Sequence, residues 1–172
     1  TEISDEKMVN DEQELVSGDF EYSLSGSDIT ITKYKGSDEN VTVPEKIDGN
    51  KVVNIGNEAF RNNRKIKTVI IPDTVTLIGN SAFYGCSFLT DITMTKNLAS
   101  LGAYAFYGCS SLNSINLPES LTIIDNNTFY NCRAPQVNVN PRTSAPDDPD
   151  QTVHSNITVE GNVFIAGPVG AA

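Results

Sequence analysis

Along the middle of the chain, apolar residues fall into a spacing that recurs every 23 positions. Ile55-Gly56-Asn57-Glu58-Ala59-Phe60 returns as Ile78-Gly79-Asn80-Ser81-Ala82-Phe83, as Leu101-Gly102-Ala103-Tyr104-Ala105-Phe106 and as Ile124-Asp125-Asn126-Asn127-Thr128-Phe129. The same step links Asn63, Cys86, Cys109 and Cys132, and it links Ile66, Leu89 and Leu112. So many columns in register mark a repeat architecture. Each unit also holds an apolar-x-x-apolar-x-apolar stretch: Ile66, Val69, Ile71; Leu89, Ile92, Met94; Leu112, Ile115, Leu117. Its last two members alternate as in a strand, and Pro72 and Pro118, which lack a backbone donor, end the pairing. Further columns at Val75, Leu98, Leu121 and at Ile78, Leu101, Ile124 predict a second extended piece. The Ala-Phe segment then makes a compact return, with room for no more than a turn or two of helix.

Each coil leaves an apolar flank that only the next coil can cover. The coils must therefore stack, with parallel strands roughly 4.8 Å apart. The expected fold is mainly β with short helical turns, a right-handed solenoid of 23-residue coils. Phe83-Tyr84-Gly85-Cys86-Ser87-Phe88-Leu89 and Phe106-Tyr107-Gly108-Cys109-Ser110-Ser111-Leu112, with the Ile-Gly-x-x-Ala-Phe segment and the Pro-ended strand, resemble the BspA-like leucine-rich-repeat family of bacterial surface proteins. The lead-in from Val43 to Gly56 is similar to the way such arrays begin. This resemblance spans residues from about 41 to 140. It implies an extracellular protein, on the cell surface or secreted and often adhesive, and it brings no catalytic residues with it.

A solenoid needs caps, because an uncovered end coil exposes its core. Phe20, Tyr22 and Leu24 alternate, Ser25-Gly26-Ser27-Asp28 supplies a turn, and Ile29 and Ile31 resume the alternation. This predicts an N-terminal capping hairpin. The expected organisation is a flexible acidic lead over 1–18, a cap and lead-in coil over 19–54, the array over 55–140, and a loop with a C-terminal hairpin over 141–172. That last piece either caps the array or begins a further domain. Val137 and Val139 stand 22 residues after Ile115 and Leu117, so the last strand is expected to survive with its approach shortened by one. The final hairpin is expected to run from Val153 to Val159 and return through Val163, Phe164 and Ile165.

Charge narrows the function classes. The 172 residues carry 22 acidic and 12 basic side chains, a formal net charge of −10. That repels phosphate backbones and anionic head groups, which argues against nucleic-acid and membrane-surface binding. No apolar run approaches the roughly 18–20 residues a bilayer span needs, so no membrane insertion is expected. A start at Thr1 rather than Met reads as a trimmed product.

The reactive side chains invite chemistry but do not converge. Stacked coils spread Cys86, Cys109 and Cys132 along an axis, whereas metal ligands meet at a point, and no histidine accompanies them. Parallel neighbours also hold their Cβ atoms too far apart for a relaxed disulfide. Buried thiols filling a tight corner are the better reading. His154 lacks a motif partner, and Pro149 interrupts the aspartates 147, 148 and 150 that could crowd a calcium ion. Asn40, Asn126 and Asn156 each open an Asn-x-Thr triplet of the glycan-acceptor type, which a bacterial origin would leave silent. No catalytic residue, metal site or cofactor is expected.

What remains is surface. Lys67, Thr90, Asn113 and Gln136 form one row beside the strands and Ile70, Thr93 and Asn116 another, with Asp91 between them. This face is small, polar and nearly uncharged. A second row, Arg61, Tyr84, Tyr107 and Tyr130, follows the core Phe column. If each Phe is buried, the ring beside it should be at least half exposed, forming an amphipathic stripe suited to sugars or peptides. The competing reading is that these rings merely shield the coil edge. The expected function is non-catalytic binding or adhesion through the repeat surface, with host or matrix protein or glycan as partner class; the alternative is a structural spacer or surface-layer element. The oligomeric state is open.

Overall fold

The computed structural model describes residues 15–124, together with the backbone of strands at 136–139 and 158–159. It begins with three antiparallel strands, β1 (Leu15–Ser17), β2 (Phe20–Ser25) and β3 (Asp28–Tyr34), the last two joined through Gly26-Ser27 as the expected hairpin. Then come β4 (Asn40–Thr42), β5 (Lys46–Ile47) and β6 (Asn50–Ile55). Each later coil supplies a pair: β7 (Thr68–Ile70) with β8 (Leu77–Ile78), β9 (Asp91–Thr93) with β10 (Ser100–Leu101), and β11 (Ser114–Leu117) with β12 (Ile123–Ile124). β13 (Gln136–Val139) and β14 (Thr158–Val159) complete the series.

Beyond the hairpin, and apart from the short β5 that pairs antiparallel with β6, these strands stack in parallel into the two walls of a solenoid. One wall runs β4-β7-β9, with β11 and β13 pairing beyond it. The other continues the hairpin as β1-β2-β3-β6-β8-β10-β12-β14. Partners across the ladders are one period apart: Val69 opposes Ile92, and Leu77 opposes both Asn54 and Ser100. The shortened last step is also real, because Ile115 pairs with Val137 and Leu117 with Val139. Of the C-terminal hairpin expected over 153–165, only Thr158 and Val159 are described, and they join the second wall in parallel with β12. The rest of that expectation, and the whole of 1–14, lies outside the described residues.

The return segment departs from expectation. Among the described residues there is no helix there, only tight turns such as Arg61 N–H to Glu58 O at 3.0 Å. Glu58, Ser81 and Tyr104 in one column, and Asn62, Gly85 and Gly108 in another, all adopt positive φ between 55° and 73°. Left-handed residues at every fourth place prevent a right-handed helix. They also turn alternate N–H groups along the solenoid axis. Glu58, Phe60 and Asn62 donate forward to the carbonyls of Asn80, Ala82 and Tyr84, and Ser81, Phe83 and Gly85 to those of Ala103, Ala105 and Tyr107, at 2.7–2.9 Å. The returns therefore form a third inter-coil ladder.

Between the walls lies one continuous core of stacked columns, including Val69 with Ile92 and Ile115, and Phe60 with Phe83 and Phe106. The phenyl rings stack at 4.8 Å and 5.3 Å, tilted by 13° and 2°. Tyr34, at the end of the hairpin, closes the lower end twice. Its ring lies 5.3 Å from Phe60, and its N–H donates to Ala59 O at 2.8 Å, the carbonyl that would receive a bond from a preceding coil.

Close approach at the Ile-Gly step explains the glycine column. A Cβ on Gly102 would stand 2.6 Å from the backbone N of Asn80 and 2.7 Å from C of Gly79. Backbone cannot yield as a side chain can. Gly102→Ala should therefore destabilise by about 1–3 kcal/mol in a urea titration. Phe106→Ala, which empties one tier of the ring stack, should remove about 3–5 kcal/mol; a loss under about 1 kcal/mol would mean that the Phe column is not core.

Candidate binding surfaces

The row after the Phe column stacks on itself. Tyr84 and Tyr107 lie face to face, centroids 4.9 Å apart and 4° from parallel, and the Arg61 guanidinium sits 4.9 Å over the Tyr84 ring. Arg61 also pairs with Glu58. Both rings are part-buried, not at least half exposed as expected, because each covers a face of the other. Coil spacing equals a comfortable aromatic stacking distance, so the stripe satisfies itself. Tyr130 lies outside the described residues.

The strand face is more open. On the first wall the inward column Val41, Val69, Ile92 is buried, while Asn40, Thr42, Ile70, Asp91 and Thr93 are exposed, as strand alternation requires. Ile70 is 48% exposed, an apolar side chain held in water at the middle of that face. Asn116 is exposed on β11. Beside the strands Lys67, Thr90 and Asn113 form the expected row: Thr90 donates to Lys67 O through its N–H at 2.8 Å and its hydroxyl at 3.0 Å, and Asn113 N–H reaches Thr90 O at 3.4 Å. Lys67 is paired with Glu39 at 2.7 Å, so its charge is compensated. Gln136 does not extend that row. It pairs with Ser114, in the Thr68–Asp91 column, because the last coil is one residue shorter.

Two features were missed in the sequence. Asn57 Oδ1 accepts the N–H of Asn80, and Asn80 Oδ1 accepts that of Ala103, both at 2.8 Å, forming an amide ladder between coils. Tyr104 is 41% exposed and meets Tyr107 edge-on at 6.0 Å and 69°. The signal was available: Glu58, Ser81 and Tyr104 form a varying column beside repeating ones.

The cysteines are fully buried where described. Cys86 Sγ donates to Phe60 O and Cys109 Sγ to Phe83 O, each at 3.1 Å. Asn63, in the same column of the first coil, uses its Oδ1 to accept the N–H groups of Lys65 and Ile66 at 2.9 and 3.2 Å. Burial pushes the Cys86 thiol from 9.0 up to about 12, partly opposed by the backbone of Asn63. Among the described residues no three His, Cys, Asp or Glu side chains converge as a metal site requires, and no helix is long and apolar enough to cross a membrane. Cys132, His154, the aspartates near 148, Asn126 and Asn156 lie outside those residues.

A family model of the BspA type leucine rich repeat region matches residues 27–145 in six copies. The chain belongs to the BspA-type leucine-rich-repeat family. Solved structures agree. It is similar to a leucine-rich-repeat protein of T. pallidum at 34% identity and a TM-score of 0.63, over 66% of this chain and 54% of that one. A Bacteroides capillosus leucine-rich-repeat protein is 26% identical with a TM-score of 0.65, over 72% of this chain and 94% of that one. A Faecalibacterium prausnitzii protein described as a leucine rich cell surface protein is 26% identical with a TM-score of 0.60, over 73% of this chain and 42% of that one. This BspA-type chain thus spans about half of the treponemal protein. No curated protein matches it. Within the family, the coarse role is that of a leucine-rich-repeat module suited to binding.

The buried thiol column predicts a particular alkaline behaviour. Folding raises the Cys86 pKa, so its contribution to stability is complete below pH 9.0 and is lost as pH rises toward about 12. Cys86→Ser should make that alkaline limb shallower in denaturation curves. At neutral pH, Cys86 and Cys109 should react with a thiol reagent only after denaturant is added; rapid reaction of both in the native protein would contradict their packing.

Proposed function

We propose that this chain is a non-catalytic, extracellular binding module that recognises a host or matrix protein through its strand face. The observation that carries this reading is the exposed Ile70, set among Thr42, Thr93 and Asn116 on a regular parallel wall whose inward columns are fully packed. Packing dictates the inward residues and does not dictate the identity of the outward ones. Short polar side chains lose little entropy on binding, and a central apolar group gains from desolvation. Family membership supports a surface location, as does the similarity to the F. prausnitzii leucine rich cell surface protein.

A second reading, a spacer or surface-layer element, is favoured by the Arg61–Tyr84–Tyr107 stack, which satisfies its own rings. Arrays of matrix proteins and glycans decide between them. For a protein ligand found there, Ile70→Glu and Thr93→Lys should each weaken binding about tenfold, on the order of 1.4 kcal/mol, with melting unchanged. Tyr84→Ser combined with Tyr107→Ser should lower the melting temperature and leave that binding intact. The reverse pattern would move the interface to the tyrosine stripe, and no ligand on either array would favour the spacer.

A further inference from the structure

Tyr104 occupies a position that neither burial nor backbone preference assigns to an aromatic ring. It lies at φ 58°, a conformation bulky residues rarely adopt, and the same column carries Glu58 at 59° and Ser81 at 55°. The fold thus dictates the backbone there but not the side chain. The ring is 41% exposed, so it is not placed to fill the core. Beside it stands the Asn80 carboxamide, whose oxygen is held by the Ala103 N–H at 2.8 Å. That bond fixes the oxygen end of the amide, on a residue that is itself exposed. Asn57 repeats the arrangement one coil below, with its oxygen held by Asn80 N–H.

From this juxtaposition we infer that the Tyr104 corner, with the Asn80 and Asn57 amides, is a binding site for neutral carbohydrate, separate from the strand face. A pyranose has an apolar C–H face bordered by hydroxyls. One exposed aromatic ring takes the face, and fixed amide donors take the hydroxyl oxygens. Tyr107 meets the Tyr104 ring edge-on at 6.0 Å. A proline-rich peptide fits less well, since it docks into slots between aromatic side chains and the Tyr84–Tyr107 pair is closed face to face. The net charge of −10 disfavours sulfated or uronic sugars.

The test uses the full chain and a panel of neutral hexose and N-acetylhexosamine oligosaccharides. Binding is read by saturation-transfer NMR and by tyrosine emission, which no tryptophan obscures. Tyr104→Asn suits a left-handed backbone and should keep the fold while weakening saccharide binding about tenfold. Asn80→Asp keeps the oxygen that accepts the Ala103 N–H but removes the donor, and should weaken binding several-fold. Tyr104→Phe should bind nearly as well as the parent. Ile70→Glu should have no effect on saccharide binding, so failure of this site and failure of the strand-face reading are distinguishable. The proposal is overturned if no saccharide in the panel binds at millimolar concentration, if binding survives Tyr104→Asn, or if a proline-rich peptide occupies the corner instead.

Discussion

Every feature of this molecule depends on consecutive coils approaching within backbone hydrogen-bonding distance on all sides of the solenoid at once. Two walls of parallel strands provide this in the ordinary way. The return segments must provide it too, without becoming strands or helices. They do so through left-handed residues that aim alternate N–H groups at the next coil. Without that third ladder the coils would splay on one side, and the ring stack could not hold its 4.8–5.3 Å spacing.

The same constraint sorts the side chains. Where coils touch backbone to backbone, as at Gly102, no Cβ is admitted. Where they touch through side chains, the same contact recurs from coil to coil: phenyl on phenyl, thiol donating to the carbonyl of the coil below, carboxamide oxygen accepting the N–H of the coil above. Only residues facing away from the axis escape this rule. The strand face and the Tyr104 corner belong to that group; the Arg61–Tyr84–Tyr107 row belongs to it only in part, because coil spacing suits aromatic stacking.

Much of this was legible in the sequence, because a repeat inside one chain acts as its own alignment. The packed columns, the strand rows as far as Asn113 and Asn116, the capping hairpin and the shortened final step followed from the 23-residue register. What escaped was geometry that residue type does not encode. Short helical turns were expected because the return is compact, yet Glu58 and Ser81 adopt left-handed conformations that their chemistry does not advertise. Tyr84 and Tyr107 were expected to be at least half exposed from their own turn alone, but their burial comes from each other across coils. Gln136 was misplaced by adding 23 where the final step is 22. The amide ladder was hidden because Asn57 and Asn80 read as ordinary turn residues until their oxygens are seen bonding one period away.

The one-way sense of the return ladder has a consequence for how such proteins change length. Along the return segments, each described coil offers its ladder N–H groups toward the C-terminal end and its ladder carbonyls toward the N-terminal end, so the two ends are not interchangeable. Tyr34 closes one of them by supplying both a ring and an N–H. A tandem duplication of 23 codons within the array would insert a coil whose donors and acceptors already match those above and below. Genes of this kind can therefore grow or shrink by whole repeats while the closing piece stays unchanged, and the number of coils becomes a quantity that recombination adjusts more readily than point mutation.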